Sequence, residues 1–257
     1  MGVIEELLDA QILTVGDVPG ILTGLVKENW DEDHPGMVKV EYFLGEKGKN
    51  LTGWVPVAVP YAGKEYGYYA LPEVGTEVVL AFQMGNRNSP IVLGCIWSQQ
   101  NSLPGETANE NNSVKKLMTK GGCEIRMAEE DGKEQILVQT PKGLNLLLED
   151  ENETISLSSQ DGSSGVKVDA KNGAVTVLAD KKLELQVGGN VMLSLDGSSN
   201  AVEIKGGKLT LNADQSLELK GQTLKLEGTS TEIKGSGTLK LEAGGTAQLK
   251  GAMVQLN

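Results

Sequence analysis

The amino-acid sequence predicts an all-β protein in which a small N-terminal barrel precedes a repetitive β-helix. Three observations predict this fold class. Short strand-like runs separated by turn residues fill the first hundred residues, all ten aromatic residues lie between Trp30 and Trp97, and from Val166 onward a short alternating strand recurs about every eight residues. The 33 glycines among 257 residues agree with many tight turns, because glycine adopts backbone conformations that chain reversals need.

Composition divides the chain into five predicted segments. A polar stretch without periodicity separates the aromatic first hundred residues from the rest of the chain, and residues 127–257 contain no Arg, His, Cys or aromatic side chain. The predicted segments are an N-terminal segment at 1–19, a barrel domain at 20–97, a linker at 98–118, a β neck at 119–165 and a β-helix needle at 166–257.

The N-terminal half is expected to hold one short helix, at residues 3–10, followed by five strands. The strands are predicted at residues 20–26, 37–43, 53–59, 76–82 and 90–96. Glycine, proline and asparagine between them supply the backbone freedom or preset φ that a reversal requires. Five short strands joined in this way are typical of the OB-fold.

Residues 20–97 also resemble the OB domain of the contractile-tail spike family, which includes phage baseplate assembly protein V and the VgrG spikes of type VI secretion. A Leu-Pro-Glu-Val-Gly run is followed by a strand, a glycine turn and a Pro-x-Val-x-Gly run. The residues that carry the resemblance are Pro60, Tyr61, Gly63, Leu71, Pro72, Glu73, Gly75, Phe82, Gly85, Pro90 and Gly94. The resemblance implies a non-enzymatic central spike that docks on a baseplate hub and punctures a target envelope.

The C-terminal repeat contains twelve segments between Val166 and Leu256, each with two aliphatic or small side chains on one face and a polar residue between them. Two apolar residues without aromatic filler cannot form a core alone, so other segments must close the prism. A single chain could coil with three segments to a turn, or three chains could interleave. The family resemblance favours an intertwined homotrimer. Its predicted core residues are Leu217, Leu219, Leu224, Leu226, Ile233, Leu239, Leu241 and Leu249.

Charge and composition argue against several functions. The formal net charge of −12 opposes binding to a phosphate backbone. Lys64 is the only basic residue among the tyrosines at 61, 66, 68 and 69, which disfavours stacking of these rings on a nucleic acid. We predict instead that the rings fill the barrel and an oligomer contact. The single histidine, His34, is expected to be a solvated loop residue. We predict reduced cysteines at Cys95 and Cys123, with no catalytic residue, cofactor or metal site.

The acidic N-terminus predicts assembly in the cytosol, followed by incorporation into a phage-like or injection particle. The family resemblance implies two partners besides the homotrimer, a hub protein at the OB end and a PAAR-type tip protein at the C-terminal end, with only transient membrane contact. The predicted tip interface comprises Gly251, Ala252, Met253, Val254, Gln255, Leu256 and Asn257. The alternatives are a receptor-binding fibre or adhesin with a β-solenoid shaft, and a solenoid acyltransferase or polysaccharide lyase. The lack of histidine after His34 disfavours the acyltransferase.

Overall fold

The computed structural model describes residues 20–44 and 50–255, which belong to two compact units. The first unit ends at Leu183 and the second begins at Glu184. The helix expected at residues 3–10 and the last two tip residues, Leu256 and Asn257, lie outside the described residues. Apart from one 3-10 turn at Gln83–Gly85, every regular element of the described residues is a strand, which confirms the all-β class.

The barrel has five main strands, each at a position that the sequence predicts. In chain order the elements are β1 (Ile21–Glu28), β2 (Met37–Tyr42), β3 (Val55–Pro56), the small hairpin of β4 (Ala62–Gly63) and β5 (Tyr66–Gly67), then β6 (Glu77–Phe82) and β7 (Pro90–Cys95). The sheet order is β3-β2-β1-β6-β7. A parallel bridge joins Val57 to Val92, and the backbone N–H of Ala58 donates to the Val92 carbonyl at 2.7 Å. The sheet therefore nearly closes on itself, as in an OB-fold.

The barrel core follows the two-residue period of its strands. Its fully buried side chains are those of Val26, Val38, Val40, Val78, Leu80 and Val92. Tyr42 and Phe82 pack edge to face beside them, with ring centroids 5.7 Å apart. Gly24 lets β1 approach β2, because a Cβ at this position would lie 2.7 Å from the Glu41 carbonyl oxygen.

Seven antiparallel strands follow residue 113, and we call this sheet the meander. Its first strand lies within the predicted linker at 98–118. Strands that are consecutive in the chain are neighbours in the sheet, and the first and last strands form its two ends. The strands are β8 (Val114–Met118), β9 (Glu124–Ala128), β10 (Gln135–Gln139), β11 (Asn145–Glu149), β12 (Thr154–Ser158), β13 (Gly165–Asp169) and β14 (Ala174–Leu178).

Two turns of the meander are closed by the same kind of hydrogen bond. The Thr119 hydroxyl accepts from the backbone N–H of Cys123 at 3.1 Å, and the Thr140 hydroxyl accepts from that of Leu144 at 3.2 Å. Gly122 in the first of these turns has a φ of +87°, which glycine adopts without steric cost. Short turns of this kind hold consecutive strands in register.

The meander extends beyond residue 165, where the sequence predicts the start of the needle. Strands β13 and β14 contain the first two predicted needle segments, and both pair with neighbouring strands of their own chain. Tight turns such as Ala170–Gly173, where the Gly173 N–H donates to the Ala170 carbonyl, favour this antiparallel pairing over a coiled path.

A three-stranded antiparallel sheet contains the next three segments of the repeat. It consists of β15 (Lys182–Val187), β16 (Asn190–Asp196) and β17 (Ala201–Ile204) in that order. From residue 205 to residue 255 the described chain contains no strand, and these residues are exposed. A segment with two apolar residues has nothing in its own chain to bury them against, so this stretch gains no core as a single chain.

Candidate functional site

The meander has one face that is almost wholly aliphatic. Side chains two residues apart on each strand point to the same face, and the cross-strand register aligns them in two rows. The first row is Leu117, Ile125, Val138, Leu146, Leu157, Val166 and Val177. The second row is Met127, Ile136, Leu148, Ile155, Val168 and Val175, and Lys115 stands at its β8 end. We call this surface the apolar face.

The apolar face is largely open to water. Ile125 has 42% of its surface exposed, Leu157 has 53% and Val175 has 68%, and none of these side chains belongs to the buried core. Ordinary monomers leave single apolar side chains exposed, but a continuous aliphatic surface across seven strands marks an interaction surface.

The opposite face of the meander carries most of its polar side chains, together with a few aliphatic ones such as Leu137 and Leu147. Several of the polar side chains are hydrogen-bonded. Lys116 and Glu124 form an ion pair at 3.0 Å with side chains only 7% and 15% exposed, and the Lys116 ammonium also donates to the Gly105 carbonyl of the linker. The Gln135 amide donates to the Glu149 carboxylate at 3.1 Å. One buried polar atom on this face, Nε of Arg126, has no partner among the described residues. The linker and these polar contacts fix which face stays free.

The family motif of the OB domain proves to be mainly structural. Phe82, Pro72 and Pro90 are buried, and Leu71 packs against the core. The Pro72 carbonyl accepts a hydrogen bond from the Asn29 amide at 3.1 Å, which ties the loop before β6 to the end of β1. Gly75 has a φ of +91°, and its N–H donates to the Val26 carbonyl.

The remaining motif residues lie at turns and on the surface. Gly85 lies in the 3-10 turn with a φ of +82°, and Gly94 pairs with Val79 beside a register shift. Glu73 forms an ion pair with Lys120 at 3.6 Å, between the barrel and the first turn of the meander. Pro60, Tyr61 and Gly63 lie on or beside the exposed β4–β5 hairpin, where the Tyr61 and Tyr66 rings lie 5.4 Å apart.

The expectation that the tyrosines fill the barrel is wrong. Tyr61, Tyr66, Tyr68 and Tyr69 are between 47% and 78% exposed, whereas the buried tyrosine is Tyr42. The physical reason is that valine and leucine already fill the inward positions of β1, β2, β6 and β7. The four outer tyrosines stand on the short hairpin and the loop after it.

His34 lies in a small exposed cluster rather than in a ligand site. Its Nδ1 lies 2.6 Å from an Asp31 carboxylate oxygen, and its ring stacks on Trp54 with centroids 5.7 Å apart. Bonds in the turn, led by the one to His34, lower the pKa of Asp31 below its ordinary value. Within residues 20–44 and 50–255, no group of three or more His, Cys, Asp and Glu side chains is placed to hold a metal ion.

The predicted trimer-core residues all lie in the part of the second unit that lacks strands. Their exposure ranges from 54% to 82%, and the predicted tip residues Met253 and Val254 are exposed as well. In the described chain, no helix is both long and apolar enough to span a membrane. The apolar face was missed by sequence reasoning, although alternating aliphatic residues from Leu117 to Val177 carry its signal.

Residues 22–97 match the family described as the type VI secretion system/phage-baseplate injector OB domain. The match begins in β1 and ends just after β7, so it covers the barrel. The predicted resemblance to the contractile-tail spike family is thereby confirmed for the injector OB domain.

Curated relatives extend the likeness beyond the injector OB domain. The type VI secretion system spike protein VgrG5 of Pseudomonas aeruginosa is 35% identical over 50% of this chain. The spike protein VgrG1a of the same organism is 28% identical over 89% of the chain, and the actin cross-linking toxin VgrG1 of Vibrio cholerae is 27% identical over 70%. The chain spans only 17%, 39% and 15% of the lengths of these relatives, respectively. The chain is thus similar to VgrG spike proteins.

Proposed function

We propose that this chain forms the OB domain and shaft of a homotrimeric spike in a contractile injection apparatus. The observation that supports this proposal best is the apolar face of the meander, directly after an injector OB domain. Three copies with their apolar faces turned inward would bury both aliphatic rows, and burial of apolar surface is the main driving force for association.

The dimensions of the meander suit such a prism. A five-residue strand is about 17 Å long, whereas seven strands stack to about 30 Å. A triangle with sides of about 17 Å places each sheet about 5 Å from the central axis, which is within the reach of aliphatic side chains. Sheets joined along the 30 Å direction would each stand about 9 Å from the axis and leave a wider hollow, so we infer that the strands run across the prism.

The strandless segments after residue 205 support the same proposal. Their regular pairs of aliphatic residues, such as Leu217 and Leu219, require backbone and side-chain partners that their own chain does not provide. Interleaving with two further copies would supply both. In such a needle the ladder hydrogen bonds of three wound chains must break together, which suits a part that transmits force into an envelope.

We extend the proposal to the partners and the activity. The injector OB domain would dock on a baseplate hub, and residues 251–257 would hold a PAAR-type tip protein. The spike would act mechanically, without catalysis. Deletion of residues 251–257 should abolish capture of a purified PAAR-type protein but leave the trimer intact, and deletion of the barrel should abolish hub binding. Capture that survives either deletion would contradict the corresponding placement.

Sedimentation of the full chain tests the trimer. We expect a species of three times the 27.3 kDa chain mass. Leu157→Asp places a charge on the apolar face and should abolish assembly, because three carboxylates would be buried without partners. Ser156→Asp, on the opposite face of the same strand, is the matched control and should remain trimeric. A monomeric parent chain, or a trimeric Leu157→Asp variant, would refute the proposal.

A further inference from the structure

The turns of the meander form two lateral edges, one at each end of its strands. Edge A holds the turns at residues 119–123, 140–144 and 159–164. Edge B holds the turns at residues 129–134, 150–153 and 170–173. Because consecutive strands are antiparallel, turns on edge A alternate with turns on edge B along the stack, one strand spacing apart.

The two edges differ in charge, because the first two turns of edge B are strongly acidic and the first two turns of edge A each carry a lysine. On edge A the three turns have net charges of +1, +1 and −1, contributed by Lys120, Lys142 and Asp161. On edge B the three turns have net charges of −3, −3 and +1, in the same order along the chain. The third turn of edge B contains Lys171, whose charge is offset by the Asp169 carboxylate at the end of β13, which accepts hydrogen bonds from Asn172 in the same turn. Each of the two edge B turns of charge −3 therefore lies one strand spacing from an edge A turn that carries a lysine.

Ion pairs within the chain leave most of this charge uncompensated. Lys133 pairs with Glu151 at 3.4 Å along edge B, and Lys115 pairs with Glu129 at 3.0 Å. Glu130, Asp131 and Glu153 have no ion-pair partner among the described residues. On edge A, Lys120 pairs with Glu73 at 3.6 Å, whereas Lys142 has no ion-pair partner within residues 20–44 and 50–255.

Rotational symmetry determines which edges can meet. In a threefold arrangement every contact is heterologous, so the same end of one copy always faces the opposite end of the next. With the strands running across the prism, edge A of each copy would lie against edge B of its neighbour along all three corners. A copy inverted end to end would instead place edge B against edge B, with turns of charge −3 facing each other.

We infer that edges A and B of neighbouring copies pair by charge and so select three parallel copies of this chain. This inference rests on the proposed homotrimer and adds how its copies recognise one another. Exposed ion pairs contribute little stability each, but repulsion between like-charged edges disfavours the inverted arrangement. The apolar face drives association, and the charged edges determine orientation.

Charge reversal at one level of the stack tests the inference. The edge A variant is Lys142→Glu, and the edge B variant is Asp150→Lys with Glu153→Lys. Each variant alone should lower the melting temperature of the trimer by about 5 °C at low salt, because it makes all three corners repulsive. Both changes in one chain should restore the melting temperature, and the losses should fade at 1 M salt, where the screening length is about 3 Å.

Lys167→Glu is the matched control, since Lys167 lies in the middle of β13 on the polar face and away from both edges. The melting temperature of the Lys167→Glu trimer should differ from that of the parent trimer by the same amount at low and at high salt. Failure of the double variant to recover, or single variants indistinguishable from the parent trimer, would overturn the pairing of the edges and leave the homotrimer standing. A parent chain that sediments as a monomer would overturn the homotrimer itself.

Discussion

The barrel and the meander are both built from short antiparallel strands with alternating side chains, yet only the barrel buries its apolar residues. Val78 and Leu80 of the barrel are fully buried, whereas Ile125 and Leu157 of the meander are about half exposed. The barrel closes because the segment after β3 reaches β7 through the Val57–Val92 bridge. The meander runs in one direction and never returns over its own apolar face. Alternation alone therefore does not make a core, because the chain path decides whether the second layer comes from the same molecule.

The largest expected effect concerns the predicted needle, whose apolar residues depend on other copies of the chain for burial. Ile233→Asp would place three carboxylates in the shared column of the needle and should cost several kcal/mol per trimer, enough to block assembly of that region. Glu232→Asp, at the outward position beside it, should have almost no effect. Sedimentation and thermal melting at several protein concentrations measure both variants. Unchanged melting of Ile233→Asp would show that residue 233 faces outward.

A core truncation in the barrel should act within a single chain. Leu80→Ala removes a fully buried side chain and should lower the free energy of unfolding of the barrel by about 2–5 kcal/mol. Because this core belongs to one molecule, the loss should be the same at every protein concentration. Denaturant titration followed by tryptophan fluorescence measures it, since all three tryptophans lie in the first hundred residues. A concentration-dependent loss would mean that the barrel also depends on its neighbours.

The smallest expected effect concerns a turn of the meander that depends on side-chain hydrogen bonds. The Ser159 hydroxyl, followed by the Ser163 backbone N–H and hydroxyl, lowers the pKa of Asp161 to about 2. The carboxylate form is therefore favoured in the fold, and this contribution is present above the ordinary pKa and is lost as the pH falls through about 2. Asp161→Ala should accelerate hydrogen exchange of the Ser163 amide near neutral pH.

Asp131→Ala provides the comparison for that prediction. Asp131 also precedes a glycine in a meander turn, but it accepts no hydrogen bond among the described residues. Its substitution should leave the exchange of neighbouring amides nearly unchanged at high salt, where the charge of edge B is screened. Equal acceleration in both variants would mean that the Asp161 hydrogen bonds do not hold the turn.

Local signals in the sequence predicted much of the fold. The strands around Val40 and Leu80 were found because alternation and flanking turn residues are local properties. The third strand is shorter than predicted, at Val55–Pro56, because proline provides no N–H for a sheet hydrogen bond. The burial of the tyrosines was predicted wrongly, because ring size does not reveal which positions the chain path leaves unfilled.

The sequence by itself determined the β period, the positions of the turns and the injector OB motif. It also determined the division of the chain into an aromatic first hundred residues and an aliphatic repeat. Each of these depends on neighbouring residues. Only the tertiary structure decided that β8 to β14 pair consecutively, that their aliphatic residues share one uncovered face, and that the two most acidic turns lie on the same edge. Those properties depend on strand direction and register, which bring together residues far apart in the chain. A two-residue period shows which side chains share a face, but what covers that face depends on the path of the chain and on other copies.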